Sequence, residues 1–158
     1  LVIKPTFAAA ARHTYKIDLQ NAEEHEKIFT ELISSESMMI QPYIESIVSK
    51  GEVSHMIMGG EYTHSILKKA KKGDFRVQDD FGGTVHDYTA TEEERRFAEN
   101  VISKINPSPA YGRVDVIWDN NGKLAVSELE LIEPELWFRN NPASAKILAK
   151  AVAKIVNE

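Results

Sequence analysis

The chain has 158 residues, of which 42% are hydrophobic and 27% charged, as expected for a globular domain with a buried core. Its formal net charge of −5 argues against a nucleic-acid-binding surface. The absence of cysteine excludes disulfides, thiolate catalysis and zinc–thiolate sites, and no apolar run approaches the roughly 18 residues that cross a membrane. We therefore expect a cytoplasmic protein without nucleic-acid or membrane partners, and the sequence is compatible with a homo-oligomer.

The first part of the chain is predicted to alternate between short strands and one helix. The chain has no initiator methionine and opens inside an apolar run that ends at Pro5, which suggests a piece of a longer protein. Apolar spacing and turn residues predict strands over 1–4, 15–17 and 38–44, a small-residue loop over 8–11, and a helix over 22–33 that begins after Asp18 or Asn21.

The second part is predicted to contain two hairpins and two helices. Strands over 52–58 and 61–67 flank a Gly-Gly turn, and strands over 111–118 and 123–131 flank an Asn-Gly turn. Thr91 and Glu94 have capping-box spacing and predict a helix that ends before Pro107, and a final amphipathic helix covers 141–157. Residues 70–85 show neither the helical nor the strand periodicity of apolar residues and are predicted to be a loop. Antiparallel strands with helices indicate an α+β fold.

Three carboxylates are predicted to share one face of the second hairpin. Glu128 and Glu130 are two residues apart on one strand, so their side chains point to the same side. The turn brings the strand that contains Asp115 beside them. Carboxylates this close repel one another unless a cation neutralises them, and hard oxygen ligands suit Mg²⁺. The alternative is an acidic strand that faces solvent.

Basic residues provide candidate phosphate ligands. A segment that begins at Lys68 contains Arg76 and ends at Gly82-Gly83. Glycines let phosphate oxygens approach the backbone, and a guanidinium binds phosphate through parallel N–H groups. A solvated loop has the same composition. Lys4, at the end of the first strand, is also within reach of a phosphate, although a lysine that extends into solvent is the commoner case.

Taken in order, these motifs resemble the ATP-grasp superfamily. Residues 2–5 are similar to its strand with a phosphate-binding lysine, and residues 39–44 are similar to the segment that binds the adenine edge. Lys68 and residues 73–76 resemble its basic residue and Gly-Asp-x-Arg motif. Residues 113–115 and 128–130 resemble its metal-binding set, with Glu130 in place of the commoner Asn. The similarity runs from residue 2 to about 134 and is closest to glutathione synthetase-like carboxylate–amine ligases.

The resemblance implies an ATP-grasp-like α+β fold with antiparallel sheets flanked by helices. It implies that the chain is the C-terminal part of such a protein, with the remainder of the lid subdomain in residues 1–41 and the catalytic subdomain in 42–158. It implies ATP and Mg²⁺ as cofactors, with Mn²⁺ as an alternative metal. The implied residues are Lys68, Arg76 and Arg113 for catalysis, Lys4, Gln41, Tyr43, Ile44 and Glu52 for nucleotide binding, and Asp115, Glu128 and Glu130 for the metal.

The activity implied for the full-length protein is ATP-dependent ligation. A small-molecule carboxylate attacks the γ-phosphate of ATP, and an amine captures the acyl phosphate to give an amide or peptide-like bond. The fragment alone is expected to be inactive. The sequence leaves open the identity of both substrates, the oligomeric state and the role of the Glu133-Pro134-Glu135 segment.

Three other functions compete with ligation. A non-catalytic nucleotide-binding module would bind Mg-ATP without releasing phosphate. A phosphotransferase of the same fold would make a phosphorylated product. An α+β interaction domain would bind no nucleotide, and its carboxylates would lie on an ordinary solvated face.

Overall fold

The structure, a computed structural model, describes residues 1–7, 11–77 and 81–157. Contacts divide the chain into two compact units, Leu1–Glu45 and Ser46–Glu158. The division lies close to the boundary expected after residue 41. The assignment of the two units as lid and catalytic subdomains remains a prediction.

The first unit is a small antiparallel sheet with one helix. Strands β1 (Val2–Pro5), β2 (Tyr15–Lys16) and β3 (Met38–Gln41) lie in the order β2-β1-β3, and helix α1 (Ala22–Ile33) connects β2 to β3. The strand predicted over 38–44 ends at Gln41, because Pro42 follows and has no N–H group for a ladder hydrogen bond. The small-residue loop predicted over 8–11 lies mostly outside the described residues.

The second unit is a five-stranded antiparallel sheet in the order β6-β5-β4-β7-β8. Its strands are β4 (Glu52–Met58), β5 (Glu61–Lys69), β6 (Thr84–Tyr88), β7 (Tyr111–Trp118) and β8 (Leu124–Glu130). Its helices are α2 (Ser46–Ser49), α3 (Glu92–Ile102) and α4 (Ser144–Val156). Both predicted hairpins are therefore present, and the α+β prediction is confirmed. Helix α2 was not predicted, and β6 occupies part of the segment predicted as a loop.

The two faces of this sheet have different roles. One face packs against α3 through an apolar cluster formed by Ile57, Ala98, Ile102, Val114 and Val116. The opposite face is apolar only along part of its length, where Met56, Met58, Ile66, Leu136 and Trp137 pack together. The rest of that second face carries charged side chains from four strands, so the fold leaves them on the side away from α3.

Helix α3 begins with the predicted capping box. The Thr91 hydroxyl accepts a hydrogen bond from the Glu94 N–H at 3.3 Å, and the Glu94 carboxylate accepts one from the Thr91 N–H at 2.7 Å. Tyr88 on β6 donates to the same carboxylate at 2.7 Å. These bonds satisfy the N–H groups of Thr91 and Glu94 and connect the start of the helix to the sheet. Among the described residues, no helix is long and apolar enough to span a membrane.

A buried histidine lies on the face that α3 covers. His55 in β4 is fully buried, and its Nδ1 lies 2.7 Å from the Ser65 hydroxyl. Burial lowers the pKa of His55 from 6.5 to about 4, against the opposing attraction of Glu94 and Asp115. The imidazole is therefore neutral in the folded protein at pH 7.

We predict that His55 makes the fold less stable in mild acid. In the unfolded chain the histidine has a pKa near 6.5 and binds a proton, whereas in the folded chain it stays neutral down to about pH 4. The free energy of unfolding therefore falls as the pH drops from about 6.5 towards 4. At pH 4.5 the titration of His55 lowers the free energy of unfolding by about 2 kcal/mol relative to pH 7. Urea unfolding at pH 7 and 4.5 measures it in wild type and in His55→Asn. A smaller loss in the variant is expected, and equal losses would contradict the assignment.

Candidate active site

A buried carboxylate forms the centre of the charged face. Asp115 in β7 is fully buried. Its Oδ2 accepts a hydrogen bond from Lys68 Nζ at 2.8 Å, and its Oδ1 accepts one from Arg113 Nε at 2.9 Å. Burial opposes ionisation of Asp115, but the two cations outweigh that effect and hold the pKa of the carboxyl below its usual range. Asp115 is therefore an anion clamped between two basic groups.

Lys68 also binds the first residue of β4. Glu52 lies directly opposite Lys68 in the β4–β5 ladder, and Lys68 Nζ is 2.5 Å from Glu52 Oε1. Gly51 precedes this pair with a φ of +91°, and a Cβ there would lie 2.4 Å from the Lys68 carbonyl oxygen. Only glycine fits this close approach, which starts β4 in register with β5. Ser127 donates a hydrogen bond to the other Glu52 oxygen, Oε2, at 2.7 Å.

Arg113 connects Asp115 to the edge strand β8. Its guanidinium donates a short hydrogen bond to Glu130 and lies 3.9 Å from Glu128 Oε2. One carboxylate oxygen from each of Asp115, Glu128 and Glu130 falls within 4.8 Å of the others. The structure thus brings together the three carboxylates that the sequence placed on one face.

The electrostatics of this cluster favour a divalent cation. Partial burial, and repulsion from Glu130 and Asp115, raise the pKa of Glu128. Among the described residues, four carboxylates, those of Glu52, Asp115, Glu128 and Glu130, face two basic groups, which gives the cluster a formal charge of −2. Its ligand atoms are hard oxygens, which suit Mg²⁺. The residues present therefore fit the metal that the resemblance implies.

Arg76 lies in a compact motif of its own. Its guanidinium makes two-pronged contact with Asp74, with an Nη2–Oδ2 distance of 2.7 Å, and its charge lies 3.7 Å from the centre of the Phe81 ring. Hydrogen bonds from Arg76 lower the pKa of Asp74 to about 2. The aspartate and the arginine of the Gly-Asp-x-Arg motif therefore form an ion pair with each other.

The other predicted nucleotide residues belong to the first unit. Lys4 is half-buried and pairs with Met39 across the β1–β3 ladder, and Gln41 pairs with Val2. Cross-strand partners share a face, so Lys4 and Gln41 lie on the same side of the small sheet. Tyr43 and Ile44 follow β3 and are half-buried. Lys16 Nζ lies 4.1 Å from the centre of the Tyr43 ring.

Two serines of the charged face were not predicted. Ser127 is the partner of Glu52 described above. Ser54 lies opposite Asp115 in the β4–β7 ladder and is fully buried, and its hydroxyl has no hydrogen-bond partner among the described residues. Ser54 is two residues after Glu52 on a regular strand, so alternation from Glu52 could have found it. Nothing in the local sequence distinguishes Ser127.

The motifs and this geometry agree with a comparison against known families. The model of the RimK-like ATP-grasp domain matches residues 4–135. The chain belongs to the RimK-like ATP-grasp family. The match begins at Lys4 in β1 and includes the carboxylate strands β7 and β8, and it confirms the resemblance to ATP-grasp proteins.

Relatives and solved structures support the same ATP-grasp fold. The cycloserine biosynthesis protein DcsG of Streptomyces lavendulae is 28% identical over 97% of this chain and 54% of its own length. The crystal structure of D-cycloserine synthetase DcsG has a TM-score of 0.79 at 27% identity, again over 97% of this chain and 54% of that chain. The chain therefore spans about half the length of the relatives it matches.

More distant ATP-grasp structures show the shared fold alone. The ligase PsnB, solved with the precursor peptide PsnA2 and AMPPNP, has a TM-score of 0.64 at 13% identity, over 95% of this chain and 46% of that chain. D-alanine–D-alanine ligase from Bacillus anthracis, solved with ATP, has a TM-score of 0.56 at 14% identity, over 99% of this chain and 50% of that chain.

We predict that Lys68→Met destabilises the protein by about 3 kcal/mol, because removal of one partner leaves buried charge uncompensated. The change would strip Glu52 and Asp115 of their shared cation. Lys69→Met, at the exposed neighbouring position, is the matched control and should shift stability by less than about 0.5 kcal/mol. Urea denaturation measures both variants, and equal small effects would show that the buried ion pairs do not stabilise the fold.

Proposed function

We propose that the full-length protein is an ATP-dependent carboxylate–amine ligase, and that the second unit of this chain carries its metal and phosphate chemistry. The observation that carries the proposal is the convergence of Asp115, Glu128 and Glu130 beside two fixed basic groups. Membership of the RimK-like ATP-grasp family supports it, as does the likeness to a D-cycloserine synthetase. A cytoplasmic location, where ATP is available, is part of the same proposal.

The carboxylate cluster is assigned to metal binding. Asp115, Glu128 and Glu130 would hold Mg²⁺, or Mn²⁺ in its place, and the excess negative charge of the cluster favours a divalent ion over none. When bound, the metal supplies charge neutralisation for nucleotide phosphates. Glu130 replaces the Asn commoner at this place in related ligases, and it keeps a ligand oxygen while adding negative charge.

The basic residues are assigned to the transferred phosphoryl group and the acyl phosphate. Arg113 is held by Asp115 and Glu130, which aims its guanidinium along the carboxylate face. Lys68 is fixed from two sides by Glu52 and Asp115. Fixed positive groups of this kind stabilise developing negative charge without reorganisation at the moment of reaction. We also assign Arg76 to stabilising charge on the phosphoryl group and the acyl phosphate. Its Gly-Asp-x-Arg motif, which lies within the family match, supports this role.

Nucleotide binding is assigned to the first unit. Lys4 is assigned to the α- and β-phosphates, and Gln41, Tyr43 and Ile44 are assigned to the adenine edge. The family match, which begins at residue 4, supports these roles, as does the placement of Lys4 and Gln41 on one sheet face. The resemblance implies a nucleotide-binding role for Glu52. Because both of its oxygens are engaged, we propose that it acts by holding Lys68.

The substrates are proposed by class. A D-cycloserine synthetase, a D-alanine–D-alanine ligase and a ligase solved with a precursor peptide share this fold. The common class is a carboxylate that is activated by ATP and an amine that captures it. We propose a small-molecule carboxylate and a small-molecule amine for this protein, joined through an acyl phosphate.

We predict that Glu128→Gln in the full-length protein lowers amine-dependent ADP release at least a hundredfold, because the variant removes one charged metal ligand. Glu128 is partly exposed on an edge strand, so the melting temperature should change little. Glu61→Gln, at the exposed start of β5, is the control and should keep wild-type turnover. Normal turnover in Glu128→Gln would remove Glu128 from the metal site.

We predict Mg²⁺-dependent ATP binding by the full-length protein in calorimetric titration, with ADP release only when a carboxylate and an amine are both present. Binding without ADP release in any substrate pair would favour a nucleotide-binding module. ADP release without amine, with a phosphorylated product, would favour a phosphotransferase. Titration of the 158-residue chain alone tests whether these residues suffice for binding.

A further inference from the structure

An irregularity in the edge strand brings an additional side chain to the charged face. In the β7–β8 ladder, Asp115 pairs with Glu128 but the next residue, Val116, pairs with Val126, so the register skips Ser127. An extra residue of this kind is a β-bulge. On a regular strand, Ser127 and Glu128 would point to opposite faces. Here both side chains reach the carboxylate cluster: Ser127 contacts Glu52, and Glu128 lies near Arg113.

The Ser127 hydroxyl completes a chain of polar contacts across four strands. It donates to Glu52 Oε2 at 2.7 Å, while Glu52 Oε1 lies 2.5 Å from Lys68 Nζ, and Lys68 donates to Asp115 at 2.8 Å. A carboxylate with one oxygen on the ammonium and the other on a hydroxyl has little freedom to rotate. The hydroxyl thus fixes the plane of the carboxylate that holds Lys68.

Glu52 needs this second contact because of its place at the end of a strand. It is the first residue of β4, directly after Gly51. It pairs with Lys68 of β5, whereas the β4–β7 ladder begins at Val53, so strand pairing restrains its backbone on the β5 side only. Charge-assisted hydrogen bonds are stronger than neutral ones, and a bond from a hydroxyl to a carboxylate belongs to this class. In the described part of the chain, Ser127 is the hydroxyl that bonds to this carboxylate.

We propose that Ser127 is a positioning residue of the active site, which orients Glu52 and through it keeps Lys68 directed at Asp115. The role of Lys68 in ligation rests on the function proposed above, but the positioning itself does not. Ser127 touches neither substrate nor phosphate in this scheme. Its hydroxyl, and not its volume, carries the effect.

The test uses an isosteric pair of variants in the full-length protein. Ser127→Val and Ser127→Thr have the same branched shape and both suit a strand, but only Thr retains a hydroxyl. The first readout is the rate at which acetic anhydride acylates Lys68, measured by site-resolved mass spectrometry with exposed Lys69 as the internal reference. The second readout is kcat for amine-dependent ADP release.

We expect Ser127→Val to raise the relative acylation rate of Lys68 by about tenfold and to lower kcat by a similar factor, as the loss of a hydrogen bond to a charged group implies. Ser127→Thr should restore both values to near wild type. Equal Lys68 acylation in the two variants would overturn the proposal. A Val-specific rise in acylation, in a protein that never releases ADP, would support the positioning role and refute the ligase function instead.

Discussion

The structure of the second unit depends on a fully buried aspartate that must remain charged. Asp115 lies on β7, next to the central strand, where an unpaired carboxylate would be prohibitively costly. Lys68 from β5 and Arg113 from β7 compensate its charge, and their remaining contacts extend to the strand ends and edge through Glu52 and Glu130. One buried charge thus accounts for the charged part of this sheet face, while α3 covers the other face.

Two small irregularities in strand register bring the partners of that aspartate together. The β4–β5 ladder skips Thr63, because Met56 pairs with His64 and Ile57 with Tyr62. If Thr63 instead paired regularly with Met56, Lys68 would lie one position out of register, opposite Gly51 and on the other face. The second irregularity, at Ser127, does the same for β8. The site therefore depends on two departures from regular alternation, one in the β4–β5 ladder and one in the β7–β8 ladder.

These irregularities also explain what the sequence could predict. Alternation and turn residues predict both hairpins, the capping box at Thr91 and the shared face of Glu128 and Glu130, because each depends on residues a few positions apart. That this face is also the face of Asp115 depends on the bulge at Ser127. The pairing of Glu52 with Lys68 depends on a bulge that has no glycine or proline to mark it. Strand β6 and helix α2 are short, five and four residues, and their positions follow from contacts with the sheet rather than from a period of their own.

The two basic groups of the cluster share Asp115 but differ in their second carboxylate partner, and this difference bears on how each relates to a bound metal. Lys68 lies between Asp115, which is fully buried, and Glu52, which is fixed from the far side by Ser127. Arg113 shares the buried aspartate but extends to Glu130, which is partly exposed on the edge strand. Asp115 and Glu130 are also the oxygen ligands that a divalent cation would use. Both cations contact Asp115, and Arg113 additionally contacts Glu130, a second carboxylate of the cluster, so its contacts overlap more with the candidate metal ligands. The second partner of Lys68, Glu52, is not one of those three carboxylates, so a metal ion there would leave that ion pair in place.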